Sequence, residues 1–335
     1  MERKRHRSFA LHLSLTETKN NMVDLQEAPT SPRPKARAKW RLRWGALGLA
    51  ILILTGMGVT LYPHVASWIS QYYQSQLIEQ VTDPKNQQAK DPSVEDQLRD
   101  AHEYNSLLVG GAFLAADANK PEADAYQVGE FQYNEMLKAS DSGIMGRLRI
   151  PSIKVDLPVY HGTSDETLLK GVGHLEGTSL PVGGLNQHSV LTAHRGLPQA
   201  TLFNDLGDVK LGDTFTVEVL GEVLTYRVMD SRVVDPTDTD SLRVVAGNDL
   251  MTLVTCTPLG INTHRILVTG ERITPTPIKD VQSAGATPNI PGFPWWTLWI
   301  GGTVIVLTGY VWKAGSPRPQ QTKERLDVTN EPQES

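Results

Sequence analysis

A β-barrel or sandwich held between two membrane-spanning helices is the architecture the sequence predicts. Two observations predict it. Residues 143–273 carry seven short β-like runs separated by Gly, Pro and Asp turns, with little helix between them. On either side of this segment stands an uncharged apolar stretch with aromatic borders, Gly45–Tyr62 and Trp295–Trp312.

The elements follow in order. Residues 1–44 hold eleven Lys/Arg against four acids and three prolines, and read as a basic, solvated tail that can lie against anionic lipid. The run 45–62 is about long enough to cross a bilayer, with Trp40, Trp44 and Tyr62 at its borders. It starts too far in, and is too long, for a cleaved signal peptide, and the basic residues before it place the N-terminus in the cytoplasm. Residues 63–142 form an N-terminal region. Its first part has helical periodicity, broken at Asp91-Pro92, and 109–130 reads as loop.

The predicted strands are Met145–Ile150, Val155–Val159, Ser189–Thr192, Thr214–Val219, Leu224–Val233, Leu250–Thr255 and Ile266–Ile273. Short helical patches are expected at Asp165–Lys170, Ala200–Leu206 and Ser241–Val245. Some 130 residues suffice for one core. The prolines of 274–294 predict an extended spacer. Trp295–Trp312 is the second expected span, and the basic residues of 313–335 mark a cytoplasmic C-terminal tail. The 230 or so residues between the spans then lie outside the cell. A net charge of -5 argues against a nucleic-acid partner.

One cysteine, Cys256, stands in 335 residues, so no intramolecular disulfide is available. It ends an apolar run; Pro258, Gly260 and Asn262 supply a turn, and Arg265 opens the next run. A free cysteine is often a small buried hydrophobe, and composition alone favours that role. The chemical role needs partners. His188, His194 and His264 are candidates for the base, and Arg195 competes with Arg265 for the cationic role. A thiol attacks as thiolate, an imidazole moves the proton, and a guanidinium steadies a developing oxyanion. The reaction using all three is acyl transfer through a thioester. A zinc site is disfavoured, because paired Cys or His ligands are lacking.

Five segments carry a family resemblance: Ile150–Pro158, Tyr160–Thr163, Gly171–Gly184, Val190–Pro198 and Thr252–Arg265, the last with a Thr-Leu-x-Thr-Cys box. In these the chain resembles the sortases, most closely the class C, pilus-assembling sortases of Gram-positive bacteria. The resemblance implies an eight-stranded sortase β-barrel. It implies Cys256 as nucleophile, His194 as catalytic histidine and Arg265 as catalytic arginine, with Thr192 and Thr255 lining the site. It implies an LPxTG-like sorting signal as substrate, a pilin lysine amine as acceptor, and no cofactor or metal. The alternatives are a sortase that anchors surface proteins to peptidoglycan, and a membrane-tethered scaffold without activity. Class C members carry a lid with an Asp-Pro-aromatic motif. Asp83-Pro84 and Asp91-Pro92 lack the aromatic, whereas Asp124-Ala-Tyr126 has Ala for Pro; Asp124 and Tyr126 are the expected variant lid over Cys256.

Overall fold

Eight strands close into a barrel in the order β1-β2-β3-β4-β7-β8-β6-β5. They are β1 (Ile144–Ile150), β2 (Val155–His161), β3 (Val172–His174), β4 (Gln187–Thr192), β5 (Thr214–Val219), β6 (Glu222–Val234), β7 (Asp249–Thr257) and β8 (His264–Arg272). The computed structural model describes residues 39–82, 93–108, 131–138 and 143–317. The expected lid residues Asp124 and Tyr126 lie outside the described residues.

Each of the seven predicted strands is present. The eighth, β3, has three residues, too few to show a period. Of the helical patches, Asp165–Lys170 is an α-helix, with the Ser164 hydroxyl accepting from the Thr167 amide at its N-terminus. It supplies the crossover that the parallel β2–β3 pair requires. The other two are 3-10 turns, at Leu206–Asp208 and Asp240–Leu242.

Leu148, Leu191, Phe215, Val217, Tyr226, Met251, Leu253 and Val268 fill the barrel interior. A second, smaller cluster lies outside the barrel wall: Val190 of β4, Val254 of β7 and Leu267 of β8, with Leu175, Val234 and Leu242. Leu242 belongs to the segment joining β6 to β7, which therefore covers part of this outer face. Strand β7 is thus buried on both sides. Apolar residues accordingly fall on both of its faces, Leu250 and Val254 outward and Met251 and Leu253 inward, where a half-exposed strand would alternate.

Among the described residues three longer helices complete the frame, α1 (Trp44–Thr82), α2 (Val94–Leu107) and α5 (Trp296–Gly315), with the short α3 (Asp165–Lys170) and α4 (Ile278–Gln282) inside the barrel unit and its C-terminal extension. Helix α1 runs unbroken through Pro63, past the expected end of the span. Among the described residues it is the helix long and apolar enough to cross a membrane. Its far half meets the barrel unit: Gln74 Nε2 donates to the Lys170 carbonyl at 3.0 Å, and Gln71 Nε2 to Thr201 Oγ1 at 2.9 Å. Helix α2 docks through Asn105, which exchanges two hydrogen bonds with the backbone of Leu180.

The segment 274–294 departs from an extended spacer. It folds back on the barrel as a strap, because the wall there exposes polar groups that need partners. Arg147 and Asp156 form a buried ion pair at 2.7 Å. Arg147 Nη1 also donates to the Ala286 carbonyl, and the Asn289 amide donates to Asp156. The Gly285 amide donates to Glu218, and Thr225 Oγ1 to Asp280. Past the strap, Trp68 Nε1 of α1 donates to the Gly292 carbonyl at 2.8 Å, and the Trp68 and Trp296 rings meet edge to face.

Candidate active site

Strand β7 carries Cys256 and lies between two neighbours that bring it partners. On one side it pairs antiparallel with β8, and Cys256 stands directly opposite Arg265. On the other side it pairs in parallel with β4, the last regular pair being Thr192 with Val254. Two residues further along both chains come His194 and Cys256. Three hydrogen bonds carry the alignment past the formal end of β4. The Ala193 amide donates to the Val254 carbonyl at 3.2 Å, Thr192 Oγ1 donates to the same carbonyl at 3.2 Å, and Thr255 Oγ1 donates to the Ala193 carbonyl at 2.8 Å. His194, Cys256 and Arg265 therefore occupy one rung of the sheet. Alternation puts them on its outer face, with Val190, Val254 and Leu267 behind them and Leu191, Leu253 and Val268 turned inward.

The turn after His194 is fastened from several directions. The Phe203 amide donates to the His194 carbonyl at 3.1 Å, and Phe203 itself is fully buried. The Gly196 amide donates to Asn204 Oδ1 at 2.6 Å. Gly196 has φ +82, a left-handed conformation that calls for glycine.

The competing residues are accounted for by their contacts. Arg195 spends its guanidinium on structure, Nε donating to the Asn204 carbonyl and Nη1 to Thr257 Oγ1. His188 lies six residues back along β4, with both ring nitrogens engaged: Nδ1 with the Arg243 carbonyl at 2.8 Å and Nε2 with Thr252 Oγ1 at 2.7 Å. Burial holds its pKa below the usual imidazole value. His264 is exposed and pairs with Thr263 Oγ1.

Arg265 is buried, and its Nη1 donates to the carbonyls of Asn262 at 2.8 Å and His264 at 3.1 Å. The β7–β8 turn thus holds its own guanidinium at the end of the rung. Cys256 is a free thiol, half-buried. Burial pushes its pKa up, and the Arg265 charge pulls it partly back. A cysteine held at a sheet rung, with an imidazole on one neighbouring strand and a fixed cation on the other, has the parts for nucleophilic acyl transfer. Thr192 and Thr255, expected to line the site, are both buried, Thr192 on the outer face with His194 and Thr255 on the inner one, and their hydroxyls hold the strand ends in place.

Comparison with known proteins identifies the fold and the family. The sortase domain family matches residues 148–273. Sortase C of Streptococcus pneumoniae is 39% identical; the match covers 61% of this chain and 100% of that one, with a TM-score of 0.52. The chain belongs to the sortase family. Sortase C1 of Streptococcus agalactiae is also 39% identical, over 60% of this chain and 97% of that one, with the same TM-score. Sortase D of Bacillus subtilis is 31% identical over 132 residues, which are 38% of this chain and 64% of that sortase. The chain thus spans just under two thirds of that relative's length. The matched region contains the whole His194, Cys256 and Arg265 rung.

Proposed function

We propose that this sortase is a membrane-anchored cysteine transpeptidase that polymerises pilins. The observation that carries the reading is the single rung bearing His194, Cys256 and Arg265. The Cys256 thiol passes its proton to His194 and attacks the carbonyl carbon of the Thr–Gly bond in an LPxTG-like sorting signal. Arg265 donates hydrogen bonds to the oxyanion of the tetrahedral intermediate. The C–N bond breaks, His194 protonates the departing amine, and a thioester to Cys256 remains. A pilin lysine amine then attacks the thioester carbonyl. His194 takes the proton from that amine, the thiol is released, and an isopeptide bond joins the two chains. Likeness to the streptococcal sortase C structures supports a pilin substrate.

In this reading α1 and α5 both cross the membrane, the barrel lies outside the cell, and both termini are cytoplasmic. The lid role of Asp124 and Tyr126 belongs to the same proposal. The deciding experiment is a Cys256→Ala replacement in cells, followed by denaturing electrophoresis of cell-wall extracts. High-molecular-weight pilin ladders should disappear. Ladders that persist would exclude the transpeptidase. A wild-type protein that makes no ladders but fixes single proteins to peptidoglycan would favour wall anchoring.

A further inference from the structure

The turn of residues 258–263 joins Cys256 on β7 to Arg265 on β8, and its backbone does more than connect them. The Pro258 carbonyl accepts from the amides of Ile261 at 3.1 Å and Asn262 at 2.9 Å, which coils the chain tightly ahead of β8. Asn262 ends that coil with φ +60, in the left-handed region. Its carbonyl then accepts from Arg265 Nη1 at 2.8 Å, and the His264 carbonyl accepts from the same nitrogen at 3.1 Å.

Nη1 carries two hydrogens, and the two carbonyls occupy both. Nε and Nη2 meet no acceptor among the described residues. One nitrogen of the guanidinium is therefore fastened to the turn while the other two stay open, on a residue directly across the ladder from Cys256.

The asparagine side chain takes no part in this. Its amide makes no hydrogen bond among the described residues, and Oδ1 is buried without a partner. What the position uses is backbone conformation. Asparagine enters the left-handed region more readily than most residues, and glycine enters it freely.

We infer that Asn262 is a positioning residue for the transfer reaction: its left-handed backbone aims the carbonyl that fixes Arg265 Nη1 and leaves Nε and Nη2 to the oxyanion. The inference rests on the transpeptidase reading for the task of Arg265, and adds the residue that sets its aim.

The test uses the full chain in detergent, with Asn262→Gly, Asn262→Ala and Asn262→Val beside Arg265→Ala. Two quantities are read: kcat for cleavage of a quenched-fluorescence LPxTG peptide, and the pH midpoint of Cys256 alkylation by iodoacetamide. Asp235, which senses the charges of both Arg265 and His264, is the same in every variant. Asn262→Gly should keep kcat within about threefold of the wild type and leave the midpoint in place. Alanine and then valine, progressively less suited to positive φ, should lower kcat, valine by about tenfold or more, and move the midpoint upward as Arg265→Ala does. Asn262→Val combined with Arg265→Ala should be no slower than Arg265→Ala alone, because the turn acts through the guanidinium. If valine prevents folding, the alanine variant decides. A glycine variant as damaged as the valine one overturns the inference, because the side chain then matters. So do alanine and valine variants with wild-type kcat and midpoint, or a double variant slowed by the full product of the two. A wild type that leaves the peptide uncut overturns the transpeptidase reading, and the alkylation midpoints still decide whether Asn262 sets Arg265.

Discussion

Cys256 is poised between two opposing influences. Burial holds the proton on sulfur, and the Arg265 guanidinium across the ladder favours its loss. Removing that charge should therefore move the pH midpoint of Cys256 alkylation upward, so that Arg265→Ala reacts more slowly with iodoacetamide near neutral pH. An unmoved midpoint would show that the cation does not act on the thiol. In the proposed mechanism Arg265 is also the oxyanion donor, and its loss predicts a drop in kcat of about 10²–10³-fold. The pairing of Cys256 with Arg265 was legible in the sequence, because nine residues with Pro258, Gly260 and Asn262 between them fit one hairpin. His194 was not separable from His188 on local pattern. Sixty-two residues and a parallel pairing lie between His194 and Cys256, and strand periodicity does not say which strands become neighbours. The family resemblance picked His194, and the ladder explains why it is the one at the rung. His188 shares its strand and face but has both ring nitrogens occupied.

Among the elements, the strap was the least legible. Pro-rich segments default to extended spacers, and nothing local in 274–294 announces that Arg147, Asp156 and Glu218 on distant strands await its backbone. Conversely, Arg147 of β1 and Asp156 of β2 are unremarkable until the strap covers them. Arg147 and Asp156 are nearly inaccessible, so breaking the pair strands a buried charge. Arg147→Met should lower unfolding free energy by about 3–5 kcal/mol. The Arg147→Met, Asp156→Leu double variant should recover most of the loss, measured by denaturant unfolding of the full chain in detergent. A double variant as unstable as the single would show that the strap, and not the ion pair, dominates. Strand β3 was missed for the opposite reason: three residues carry no readable period, although the barrel cannot close without them.

At the scale of the molecule, the barrel contains buried histidines that must stay neutral. His174 is wholly enclosed, its Nδ1 meeting the Tyr133 hydroxyl at 2.9 Å and its Nε2 the Ser179 carbonyl at 2.9 Å, and burial drives its pKa down to about 4. The unfolded chain takes up that proton near pH 6.5 and the native chain does not, so stability falls as pH falls through this window. Between pH 6.5 and 4 this group alone should remove about 3 kcal/mol. His161 and His188, also shifted down by burial, act in the same direction. Denaturant midpoints at pH 7 and pH 4 should show the loss, and a flat profile would contradict it. The mounting of the barrel has its own consequence. At 1.5 Å per residue the 39 residues of α1 are about 58 Å long, and a bilayer core takes up about 30 Å. As a membrane span, α1 leaves a rigid post of about 28 Å above the bilayer core. The barrel is fixed along that post through Gln71 and Gln74, and tied back to it where Gly292 meets Trp68. A catalyst on a loose tether sweeps a hemisphere, whereas one fixed to a post works in a thin layer at constant altitude. A substrate rising from the same bilayer must then place its scissile bond at that altitude, so the length of its own stalk becomes a condition of turnover.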